Sequence, residues 1–381
     1  MIPSLETLRF RASPHVELRR LSELDPEVRK PFLELESDSD FHGLFVPKPP
    51  LTLNLKSVQR QTAELFLSLS TPAYLDLMSL GDTAHLSDLV DLVLDGFLEI
   101  ESDGRFISGA DAFPILCLPL TSLSIGDTVG RLSREALLHA QDLQTRAAQE
   151  LTVALYSYNR VPLTPFWKAR FPDGDAVLAY LGADRGPLHR LLQQEWHMTK
   201  NTGWLFWSAM SPRANDAVTF KLYVSPRPER IREVFEVVAR VLSGFPGTAF
   251  KIGDRAAGIL RSDKLVAYFR TREELDEAAA ALRAQLSGCE AQGVPFTACF
   301  DDAGLLSWGI DPPKNNRPLS WLDSQSWRFW IAQRLGAAIS VGKLAHSHSA
   351  TEPWRFAVER VRRDGVDVET WTPSPTIWSR S

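Results

Sequence analysis

From residue 217 to residue 310 the hydrophobic period of the chain switches repeatedly between two and 3.6 residues, an order that few architectures accept. AVTFKLYVS (217–225) alternates as a strand, and PERIREVFEVVARVLSG (228–244) carries its apolar residues at helical spacing. TAFKIG (248–253) and DKLVAYF (263–269) read as two further strands. TREELDEAAAALRAQLSG (271–288) is a second helix, opened by Thr271 with Glu274 three residues on, a capping box. VPFTACF (294–300) and GLLSWGI (304–310) complete the run. The order β-α-β-β-α-β predicts a split βαβ unit, an antiparallel sheet with two helices on one face.

Upstream the pattern differs. LKSVQRQTAELFLSLS (55–70), TPAYLDLMSLG (71–81) and HLSDLVDLVLDG (85–96) read as three helices. FLEIE and RFISG then alternate around Ser-Asp-Gly, a hairpin turn signal. Three helices and a hairpin form a winged-helix-like module. The expected class is therefore α+β. Its expected divisions are an N-terminal arm with short helices (1–40), the winged-helix-like module (41–115) and a linker with the start of a helix (116–145). A helical bridge (146–216) and the split βαβ domain with two C-terminal helices (217–381) follow. Residues 134–160 read as one long helix, and the tail from 366 as loose chain.

The helix before the hairpin is acidic where a winged helix would meet DNA. Asp82, Asp88, Asp91, Asp95, Glu99, Glu101 and Asp103 lie between Gly81 and Gly104, with no Lys or Arg among them. Duplex affinity comes from phosphate neutralisation by basic side chains, so nucleic acid is disfavoured as a partner. The net charge of −5 supplies no opposing field. Two readings remain for the module. It is a scaffold packed on the rest of the chain with solvated acids, or its hairpin takes an extended peptide as an added strand, through Phe97, Glu99, Glu101, Arg105 and Ile107.

In the split βαβ unit, Lys221, Tyr223, Lys251, Lys264 and Tyr268 fall on the strand positions opposite the helix-facing set, and Arg255 and Arg261 lie in the connecting segment. Such a face can hold a carboxylate or phosphate and stack an aromatic side chain. The competing reading is a solvated sheet face. Three scattered cysteines suit a reducing cytoplasm and exclude a Cys-x-x-Cys zinc site. His346 and His348, two apart, are a weak metal signal, so neither metal nor cofactor is expected. No signal peptide and no apolar run of membrane-spanning length is visible, so no membrane partner is expected.

NRVPLTPFWKARFPD, KLYVSP, FKIG, SDKLVAYF and VPFTACFDDAGLLSWGIDPP together resemble the peptide-binding proteins of ribosomal-peptide biosynthesis, of the crocagin-pathway type. The resemblance runs from about residue 15 to Trp378. It implies a protein that grips the precursor (leader and core) peptide of a post-translationally modified natural product and presents it to the modifying enzymes of the pathway. The strands also resemble, more distantly, the phosphothreonine-lyase-like domains of class III lanthionine synthetases. Lys221 and Ser225 match one lyase element and Lys251 another, whereas Tyr223 stands where that element carries a histidine. An enzyme eliminating or cyclising the same peptide, with Lys221, Lys251 and Tyr223 in acid–base roles, is the alternative function. A transcriptional regulator is a second alternative, opposed by the acidic helix. No residue is assigned as catalytic under the binding reading.

Overall fold

The computed structural model describes residues 5–75, 83–117, 127–210, 220–312, 326–345 and 350–374 of the 381-residue chain. The N-terminal part contributes seven strands: β1 (Arg9–Ala12), β2 (Val16–Arg19), β3 (Phe41–Pro47), β4 (Lys56–Gln59), β5 (Ala73–Tyr74), β6 (Leu98–Ser102) and β7 (Arg105–Ile107). Downstream lie β8 (Trp196–Asn201), β9 (Trp204–Ala209), β10 (Phe220–Val224), β11 (Ala249–Gly253), β12 (Leu265–Phe269), β13 (Ala298–Cys299) and β14 (Leu306–Ile310). Antiparallel sheets and separate helices make the chain α+β.

The later strands form one seven-stranded antiparallel sheet in the order β13-β14-β10-β12-β11-β9-β8. Its centre, β14-β10-β12-β11, has the topology expected from the sequence. Helix Ile231–Leu242 joins β10 to β11, and helix Arg272–Gln285 follows β12 and leads to β13 and then β14. Leu222, Val224, Phe250, Ile252, Leu265 and Ala267 meet Phe235, Val238, Leu275 and Leu282 in a buried layer. Each such side chain contributes about 1.5–3 kcal/mol by leaving water. The Thr271 hydroxyl accepts a hydrogen bond from the Glu274 amide at 3.2 Å, which starts the second helix as its capping box predicts.

Residues 196–209, expected in a helical bridge, instead extend the sheet as the β8–β9 hairpin, turned at Gly203 with φ of +83°. The continuous apolar run WLFW in β9 hides the strand alternation. The 134–160 helix is also two helices, Thr128–Asp142 and Ala148–Ser157. Carbonyls at the break are taken by distant donors: Lys343 Nζ bonds those of Leu143 and Thr145, and the Ser340 and Thr52 hydroxyls bond that of Arg146. These tertiary bonds replace the intrahelical ones that local propensity favours. The tail is folded too, with Val366–Asp367 paired to Thr372–Pro373 and Trp371 buried against Phe296.

The arm also departs from expectation. Its β1 lies inside a four-stranded sheet of order β5-β1-β6-β7, and β2 joins β3 and β4. The expected 55–70 helix begins only at Arg60, after β4, while Ala73 and Tyr74 of the expected 71–81 helix form β5 and residues 76–82 lie outside the described residues. Helix Thr83–Leu94 leads into the β6–β7 hairpin, whose tip uses Asp103 and Gly104 at positive φ. Leu89, Val93, Phe97, Leu98 and Ile100 share one apolar core with helices Thr128–Asp142, Ala148–Ser157, Trp327–Gly342 and Pro353–Arg363.

That shared core explains the acidic helix. Arg360 donates to Asp91 at 2.5 Å and to Asp95 at 2.7 Å, Arg363 donates to Asp91 at 2.8 Å, and Lys56 reaches Asp95 at 2.8 Å. Asp91 and Asp95 of the module are thus counter-ions of the C-terminal helix, whereas Glu99 and Glu101 pair with Arg11 and Arg9. Burial pushes the Asp95 carboxyl up, but the Arg360 and Lys56 charges outweigh it and hold the group well below the usual range.

A carboxylate depressed in the folded state stabilises the fold above about pH 4 and loses that contribution as the pH falls toward its folded value. Urea titrations should therefore show stability falling below pH 4, with a shallower fall in Asp95→Asn. At neutral pH Arg360→Met should cost about 3 kcal/mol, because two carboxylates lose their buried partner.

Candidate functional site

The sheet face opposite helices Ile231–Leu242 and Arg272–Gln285 carries Lys221, Tyr223, Lys251 and Tyr268, as strand alternation requires. Register places Lys221 opposite Tyr268 and Lys251 opposite Phe206. The face is not open along its length. Helices Ala148–Ser157 and Trp327–Gly342 bring Tyr156 and Arg328 against it, and Tyr223 is only 3 % exposed.

Asp263 anchors this roof. Arg261 donates to both its carboxylate oxygens, at 2.7 and 2.9 Å, and Arg328 Nη1 lies 2.8 Å from Oδ2. Arg328 is fully buried and also donates to the carbonyls of Pro295 and Tyr156. Arg261 bonds the Tyr156 hydroxyl at 2.7 Å. Burial works to raise the Asp263 carboxyl, yet Arg328 and Arg261 together hold it far below its ordinary value.

From this anchor, cations and rings alternate across the sheet. Arg328 and Arg261 lie 5.0 and 5.2 Å from the Tyr156 ring centre. Arg261 is 5.2 Å and Lys251 Nζ 4.2 Å from the ring of Trp204. Lys251 and Lys221 are then 5.6 and 5.8 Å from Tyr268. Cation–ring contacts of this kind are favourable and grow stronger as water is excluded. Gly253 and Gly258 make the geometry possible. A Cβ at Gly253 would sit 2.4 Å from the Gly258 carbonyl carbon, so the two backbones touch and the chain folds back to set Arg261 beside Lys251.

Charge compensation along the ladder is uneven. Lys221 pairs with Asp311, while Arg261 and Arg328 share Asp263. Among the described residues Lys251 has neither hydrogen bond nor ion pair. Burial, with Lys221 and Arg261 nearby, pulls its ammonium down to about 8. Among the described residues it is a half-buried cation with no anion in direct contact, and the more distant Asp263 and Asp311 carboxylates only partly offset that pull.

Other expected site residues have different surroundings. Lys264 is fully buried and donates to the Pro226 carbonyl at 2.8 Å and Gln292 Oε1 at 2.6 Å, so it pins strands together and does not line an accessible face. Burial lowers it to about 7. Burial also raises the Tyr223 phenol, which makes it a poor proton donor. Arg255 pairs with the adjacent Asp254 away from the ladder. Phe97 is a core residue stacked on Phe45, and Glu99 and Glu101 pair with Arg11 and Arg9. Arg105 and Ile107 lie on β7, the edge of its sheet, beside a groove of about 1220 Å³ that Glu99 and Arg11 also line. His197 lies in β8 and not on a helix, and His346 and His348 lie outside the described residues. Among the described residues no cluster of His, Cys, Asp or Glu could hold a metal ion, and no helix is long and apolar enough to cross a membrane.

Sequence reasoning did not single out Trp204, Tyr156, Asp263, Asp311, Arg160 or Arg328 as site residues. Their approach is tertiary, and the available local signal was the aromatic run of β9.

No family model matches the chain, and no curated protein matches it. Solved structures with partial likeness include an effector protein from Pseudomonas syringae pv. syringae strain 61, with 11 % identity over 66 % of this chain and 99 % of that one, at a TM-score of 0.37. The effector from Pseudomonas syringae pv. tomato strain DC3000 shows 11 % identity over 65 % and 98 %, at 0.36. The type III effector and phosphothreonine lyase OspF from Shigella flexneri shows 14 % identity over 37 % and 87 %, at 0.27.

Two measurements follow from the ladder. Asp263→Asn strands two guanidinium groups and should lower stability by about 3–5 kcal/mol in urea unfolding. The Lys251 ammonium, depressed in the folded state, disfavours folding below about pH 8, and that cost is relieved as the pH rises from 8 toward 10.5. Lys251→Met should therefore melt at a higher temperature than the wild type at pH 7, with the gap closing by pH 10.

Proposed function

We propose that the protein binds the precursor peptide of a ribosomally synthesised, post-translationally modified natural product and presents it to the modifying enzymes of that pathway. The uncompensated Lys251 carries this reading. A half-buried cation between the rings of Trp204 and Tyr268 is suited to an anionic group on a ligand that also has surface to stack. The sequence resemblance supplies the ligand class. The β7 edge, with Arg105 and Ile107 beside the large groove, offers main-chain hydrogen bonds to an extended segment of the same peptide. Asp91 of helix Thr83–Leu94 and the following Asp95 are held by Arg360 and Arg363, so that side of the helix is packed on the C-terminal helix and is not free to enter a DNA groove.

A second reading has a specific observation behind it. An amine near neutral in a half-buried site can act as a general base, so Lys251 could abstract a proton from the peptide in an elimination or cyclisation. Tyr223, deeply buried, would serve poorly as the matching acid.

Calorimetric titration with the precursor peptide encoded beside the gene tests both. Micromolar binding that weakens at least tenfold in Lys251→Ala is the expected result for the binding protein. Unchanged binding with loss of a mass change in the peptide would favour the enzyme. No heat at concentrations that reveal ~10⁻⁴ M binding would remove the peptide reading.

A further inference from the structure

Among the described residues, the ladder has a second cation with no ion pair of its own. Arg160 lies just beyond helix Ala148–Ser157, and its guanidinium donates to the Ala257 carbonyl. Among the described residues it makes no ion pair. Arg160 and Arg261 line one small cavity of about 30 Å³ with Tyr156, Ser157, Ser262 and Asp263. That volume suits a single water or one oxygen of an anion. Burial and the neighbouring Arg261 charge disfavour the Arg160 charge, and the Asp263 carboxylate, already shared by Arg261 and Arg328, favours it.

Across the whole ladder, Lys221, Lys251, Arg261, Arg328 and Arg160 face two carboxylates, Asp311 and Asp263. The compensated positions leave two gaps, at Lys251 and at Arg160, on either side of Arg261. Trp204 separates Lys251 from Arg261, and Tyr156 shares the Arg160 cavity. The excess charge therefore lies at two places, with Arg261 and ring surface between them.

We infer that the peptide segment held on this face is acidic and carries two anionic groups, one meeting Lys251 and the other meeting Arg160 beside Arg261. This rests on the peptide-binding reading and names the chemistry of the peptide. In an extended segment, side chains two residues apart point to the same face about 7 Å apart, and the reach of a glutamate adds to that span. The two groups are carboxylates of Asp or Glu, or phosphates on modified side chains. Either would bind less tightly as ionic strength rises.

The test uses the full chain and three probes: acetyl-Glu-Phe-Glu-amide, acetyl-Gln-Phe-Gln-amide and the acetyl-phosphoserine-Phe-phosphoserine-amide counterpart. Titration should show the Glu or the phosphoserine probe binding at least tenfold more tightly than the Gln probe, and the tighter of the two identifies the anion. Arg160→Gln, at an exposed position, and Lys251→Gln should each weaken that probe about tenfold and reduce its salt dependence. Equal affinity for the Gln probe overturns the inference, as does an Arg160→Gln protein that binds the charged probe like the wild type. If the precursor peptide binds wild type and Arg160→Gln alike, the two-anion inference fails and the peptide reading stands. If the precursor binds neither, the peptide reading itself fails.

Discussion

The Asp263 carboxylate is the contact on which the rest of this face depends. It lies just before β12, yet its partners arrive from two directions: Arg261 from the same turn and Arg328 from the helix Trp327–Gly342. Without it, Arg328 would be a buried guanidinium bonded only to main-chain carbonyls. With it, the helix is fastened over the sheet, and Tyr156 is held between two cations. Arg261 in turn lies beside the ring of Trp204, which also meets Lys251. A carboxylate this deeply buried contributes little net stability by itself. Its effect is to give the two layers a single register.

The same logic repeats at the other end of the molecule. Asp91 and Asp95 meet Arg360 and Arg363, and an apolar core runs beneath them from the N-terminal sheets into the C-terminal helices. Gly309 contributes in a quieter way. A Cβ there would lie 2.8 Å from the Trp327 ring, so the missing side chain lets the helix lie down on β14. Trp327 in turn stacks on Trp330, with ring centres 5.5 Å apart. Charge sets the register at each end, and close packing fills the space between.

The split βαβ centre was legible because its signal is local. Strand and helix periods differ, Thr271 caps its helix, and the turn residues fall between elements. Lys221, Lys251 and Tyr268 were legible for the same reason, since alternation assigns a face without knowledge of what covers it. The cover was not legible. Tyr156 and Arg328 lie 172 residues apart where they bond, and no local pattern ties them together. Lys264 shows the converse error. Its position in the strand pattern suggested a surface lysine, but Gln292 and the Pro226 carbonyl bury its ammonium. The broken helix at 143–147 was hidden likewise, because distant donors decide it, whereas the β8–β9 hairpin was hidden by the continuous apolar run of β9.

The pairing of Asp91 with Arg360 has a consequence in time. The partners are 269 residues apart in sequence. A ribosome adding roughly 5–20 residues per second therefore makes the acidic helix well before its arginines exist. Through that interval the helix is an exposed anionic surface with an unfinished core beneath it. Completion of the last helix closes the N-terminal module, so the first part of the chain to be made is among the last to be secured.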